Sequence, residues 1–74
     1  MTPYAAQGEV LRKARERAGK STQQVGDYLL IGGAAGYEPY ERGELSLSAS
    51  RITSLAHYFG LDPKAFVAEV LSAK

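Results

Sequence analysis

The chain has 74 residues, with nine Lys and Arg against eight Asp and Glu, no cysteine and a single histidine, His57. That length supports one small domain, residues 1–74. Disulfide staples are excluded, a Cys/His zinc centre has almost no ligands to draw on, and no metal or cofactor site is expected. No apolar run approaches the roughly 20 residues of a membrane span. Met1-Thr2-Pro3-Tyr4 lacks a basic region ahead of an apolar core, so no secretory signal is expected and a cytoplasmic setting fits the missing cysteines. Charge is placed unevenly. Five basic residues face two acids up to Lys20, whereas four face six from Ser21 onward. A basic helix face can attract phosphates, although a solvated face is the plainer reading of the same pattern.

The first helix is expected from about Ala5 to Ala18, with Val10, Leu11, Ala14 and Ala18 as its apolar stripe and Gly19 as its stop. Gly8 weakens its first turn slightly. Pro3 and Tyr4 read as a short arm, unless the helix begins at Pro3 behind a Thr2 cap. Ser21 followed three residues later by Gln24 is a capping box, and it opens a second helix over about Thr22 to Leu30. Gly26 lies inside that helix at a cost of about 1 kcal/mol relative to alanine, which close approach of another backbone would offset.

Ile31-Gly32-Gly33-Ala34-Ala35-Gly36 is a soft stretch before Tyr37-Glu38-Pro39-Tyr40-Glu41-Arg42, and Gly43 ends the segment. Proline lacks the N–H and disfavours helical geometry in the residue before it. Two readings of the third helix follow: a remnant over Pro39 to Arg42 with a loop before it, or a longer helix from near Ala34 bent at Pro39. Ser48 is an N-cap for a fourth helix over about Ala49 to Phe59, whose buried stripe is Ile52, Leu55, Ala56 and Phe59. Asp62-Pro63 opens a fifth over about Pro63 to Ser72. Its apolar residues Phe66, Val67, Val70 and Leu71 either dock on the chain's own core or meet a second subunit.

Taken together, Leu11-Arg12-x-x-Arg15, Gly19-x-Ser21, Tyr40-Glu41-Arg42-Gly43 and Ile52-x-x-Leu55-Ala56-x-x-Phe59-Gly60-Leu61-Asp62-Pro63-x-x-Phe66 resemble the Cro/repressor-type (XRE) helix-turn-helix family. The resemblance implies an all-α, five-helix, lambda-repressor-like DNA-binding domain whose second and third helices dock on double-stranded DNA. It also implies a structural ion pair between Arg15 and Glu41, for which a guanidinium fork and a carboxylate are well matched. The third helix is remodelled. One extra residue lies between Leu29 and Tyr40, and Thr22, followed by Gln23, stands where the family carries glutamine.

On this reading the phosphate contacts are Lys20, Thr22, Gln23, Arg42, Ser46 and Ser48. The base-facing segment is Gly33, Ala34, Ala35, Tyr37 and Glu38, with Pro39 close by. Tyr37 has a second reading as a core residue. None of these base-facing positions carries Arg, Lys, Asn or Gln, the side chains that pair bidentately with guanine or adenine. The implied function is a repressor-like transcriptional regulator acting as a homodimer. The alternative is a helix-turn-helix domain that binds a protein partner, such as an anti-activator, antitoxin or phage accessory protein. An enzyme is not expected, because His57 stands alone and no nucleophile, base and acid fall together.

Overall fold

The computed structural model describes residues 2–74, which form five α-helices and no strand. They are α1 (Ala5–Arg17), α2 (Thr22–Tyr28), α3 (Gly33–Glu41), α4 (Ala49–Phe59) and α5 (Pro63–Leu71). Local chemistry sets most of their ends. The Ser21 hydroxyl accepts from the Gln24 N–H at 3.0 Å, and the Gln24 side chain accepts from the Ser21 N–H at 2.8 Å, so the capping box is complete. Ser48 and Asp62 cap α4 and α5 by accepting from the Arg51 and Ala65 N–H groups. No described helix is long and apolar enough to cross a membrane.

α1 packs on α3 and α5, α2 on α3, and α4 on α5. The core between them holds Leu11, Val25, Tyr37, Ile52, Leu55 and Val70, all essentially sealed from solvent. Sealing off a side chain of this size contributes roughly 2–3 kcal/mol, which is how so short a chain offsets its ordering entropy.

Three expectations are resolved or revised. The third helix is the longer of its two readings and begins at Gly33, with Pro39 inside it. The proline ring's fixed φ is itself helical; what it withholds is a donor for the Ala35 carbonyl. Pro3 and Tyr4 form the short arm, since α1 begins at Ala5, and the arm is pinned: the Thr2 hydroxyl donates to the Arg42 carbonyl at 3.0 Å, and the Tyr4 N–H to the Gly43 carbonyl at 2.9 Å. It therefore satisfies carbonyls that the C-terminal end of α3 leaves open. On α5, Phe66 and Val70 are buried in the chain's own core and Val67 packs against it, leaving only Leu71 well exposed. Docking on the chain's own core therefore accounts for Phe66 and Val70, while Leu71 keeps a solvent-facing side chain.

Candidate nucleic-acid interface

α2 and α3 are held at backbone contact. A Cβ built on Gly26 would fall inside the van der Waals shell of the Gly33 carbonyl and only 2.7 Å from the Gly33 Cα. The glycine that weakens α2 in isolation is thus required by its neighbour. At the other end, Gly8 of α1 lies against the Glu41 and Tyr40 carbonyls. The turn between α2 and α3 follows a Schellman pattern, with the Ile31 N–H donating to the Gly26 carbonyl and the Leu30 N–H to that of Asp27. Its left-handed residue is Leu30, at φ 59°, and Leu30 is 90% exposed. Gly32 and Gly33 follow at φ 96° and 64°, a path that side chains rarely take.

Arg15 and Glu41 anchor the unit to α1. The guanidinium meets the carboxylate with two bonds, 2.6 and 3.1 Å, and donates a third to the Lys20 carbonyl at 3.0 Å. The side chains are only 14% and 10% exposed, and the bond to Glu41 raises the Arg15 pKa further. Tyr37 lies beside this pair, and its hydroxyl is buried without a hydrogen-bond partner. Burial and the Glu41 charge push its phenol far above the ordinary range.

The residues assigned to phosphate lie around α2 and α3, and each has an intramolecular partner. The Thr22 hydroxyl donates to Glu38 at 2.9 Å, joining the start of α2 to the middle of α3. Gln23 donates to both Asp27 oxygens and accepts from the Ala34 N–H at 3.1 Å, so it fastens the first turn of α3 to α2. Arg42 is held by Glu44 at 2.8 Å; that bond raises the pKa of Arg42 and lowers that of Glu44. The Lys20 ammonium sits 4.7 Å from the centre of the Tyr58 ring, which stacks on Tyr28. Ser46 donates to the Gln7 side chain at 2.9 Å, and the Ser48 hydroxyl is the α4 cap.

Two base-facing assignments need correction. Tyr37 is wholly buried and is the largest side chain of the core, because its helical position points at α1 and not at solvent. Gly33 is buried as well, pressed against α2 and covered by the Gln23 amide. Ala35 is exposed, and Ala34 and Glu38 are partly so. Sequence reasoning missed the three carboxylates of Asp27, Glu38 and Glu44 as partners for donors on this face. Only the Arg42/Glu44 spacing in a turn hinted at one of them.

No group of three or more His, Cys, Asp or Glu side chains suited to a metal ion occurs among the described residues. A family model described as a helix-turn-helix domain matches residues 7–68, covering α1 through most of α5. No curated protein and no solved structure matches.

Proposed function

The chain belongs to the helix-turn-helix domain family, a family related to the Cro/repressor type, and from that premise we propose a DNA-binding transcriptional regulator of repressor type. α2 and α3 dock in the major groove. The observation that carries this reading is the helix pair itself: two helices locked at backbone contact, with α3 offering the small side chains of Ala34 and Ala35 where a groove floor would lie. Small residues let the backbone approach closely, and alanine meets a thymine methyl. Sequence preference then comes in part from the shape and deformability of the duplex. Two copies of the chain on paired half-sites extend the short readout of a single α3.

The carboxylates favour a second reading. Glu38, Asp27 and Glu44 hold donors that would otherwise meet phosphate, and their charge opposes a polyanion. A protein partner is the alternative occupant of this face. Anisotropy titrations with duplex DNA at low and physiological salt separate the two. On the DNA reading affinity falls steeply with salt, because each neutralised phosphate releases counterion. Arg42→Ala weakens binding to all sequences alike, Glu44→Gln tightens it by freeing Arg42, and Glu38→Ala changes sequence preference. Absence of binding at low salt by both the folded wild type and Glu44→Gln would transfer the face to a protein partner.

A further inference from the structure

A recess lies away from α2 and α3, between the C-terminal half of α1 and the corner where α4 turns into α5. It encloses about 430 Å³, within the range of small-molecule sites. α1 presents small residues there, Ala14 and Ala18, where a larger side chain would have closed the gap. Val10, Phe59 and Leu61 complete an apolar floor that is only partly covered.

The rim is charged, and its charges form no ion pair with one another among the described residues. Arg12 and Arg15 of α1 are engaged by carboxylates of the chain. Lys13 and Arg17, one turn apart on the cleft side of the same helix, are exposed and take part in no ion pair among the described residues. Glu69 stands across the cleft on α5, also unpaired and beyond salt-bridge distance of either. Two cations on one wall and an acid on the other give the recess a polarity. An apolar body fits the floor, and a negative group is drawn to the α1 wall and repelled from the α5 wall.

We propose that this cleft binds a small organic anion with an apolar body, of the carboxylate class. The carboxylate sits between Lys13 and Arg17, and the hydrocarbon lies over Val10, Ala18, Phe59 and Leu61. The inference is independent of what α2 and α3 recognise. It does place the ligand on the helix that Arg15 ties to α3.

The test is a titration of the full chain followed by ¹⁵N NMR, with decanoate below its micelle concentration as the probe and decanol as the uncharged control of equal tail. Saturable shifts are expected at amides of residues 10–18, 59–61 and 69, with decanoate binding at least tenfold tighter than decanol. Lys13→Gln/Arg17→Gln should reduce decanoate to the decanol level, and Glu69→Gln should tighten it. Ala18→Leu should block both probes while leaving the melting temperature near that of the wild type. Shifts that fail to saturate by ~1 mM, that map to another surface, or that are equal for the two probes would overturn the proposal. So would a double variant that binds decanoate as the wild type does.

Discussion

Gly26→Ala isolates the contact on which the helix pair depends. In a free helix the substitution is favourable by about 1 kcal/mol. Here the new methyl lies 2.7 Å from the Gly33 Cα and closer still to its carbonyl oxygen, where real Cβ atoms keep at least 3.0 Å. The obstacle is backbone, so no rotamer relieves it and α2 must separate from α3. Overpacking of this kind costs about 1–3 kcal/mol where side chains can yield, and more where they cannot. A net loss of roughly 2 kcal/mol is expected after the helix-propensity gain. Stabilities of this chain length fall near ~4–11 kcal/mol, so the loss is a substantial fraction. At ~4–8 °C per kcal/mol for a small domain, the melting temperature should drop by roughly 8–16 °C. Circular dichroism melts and urea titrations measure this directly. A variant as stable as the wild type, or more stable, would show that α2 and α3 are not in backbone contact and would refute the interface geometry built on it.

The Arg15 and Glu41 side chains are nearly enclosed, so Arg15→Met or Glu41→Gln alone should cost about 2–3 kcal/mol, somewhat under the range for fully buried pairs. Combining Arg15→Met with Glu41→Met should cost clearly less than the sum of the two single Met variants, which a double-mutant cycle by urea denaturation detects. Tyr37→Phe removes a buried hydroxyl that has no partner, so stability should hold or rise by up to about 1 kcal/mol. Tyr37→Ala should cost about 3–5 kcal/mol through the cavity left behind. Leu30→Gly should stabilise by up to about 1 kcal/mol by relieving the left-handed backbone. Leu30→Ala, which keeps the strain and loses only exposed apolar surface, should show no such gain in the same thermal melts.

The helix frame was legible because its punctuation is chemical and local. Ser21 with Gln24, Ser48, and Asp62-Pro63 each announce a helix start, and each makes the bond its side chain is suited to make. α3 was ambiguous because local propensity and packing disagree there. Pro39 and three glycines speak against a helix, and a buried Tyr37 together with the α2 backbone overrules them. The turn before α3 explains Gly36 in the same way, since its missing side chain leaves room for the Ile31 carbonyl. Leu30 gave no signal, since leucine is a poor choice for a left-handed turn residue. The side-chain links of Thr22 to Glu38 and of Gln23 to Ala34 cross between helices. Such pairings depend on the interhelical angle, which sequence spacing does not carry. The α5 stripe was open for a related reason: one helix face serves a core or a partner equally well until the neighbours are in place, and here Phe66 and Val70 go to the core.

The proposed function turns on whether α2 and α3 read DNA despite a face poor in base-pairing side chains. Selection from a random-sequence duplex pool, sequenced after binding at two salt concentrations, tests it most directly. The expected result is a recovered motif rich in sequence-dependent shape features, with affinity that falls as salt rises and half-sites spaced by about one helical turn. Recovery of no motif at either salt by a protein that melts cooperatively would contradict it, and would leave the carboxylate-rich face of α2 and α3 to a protein partner.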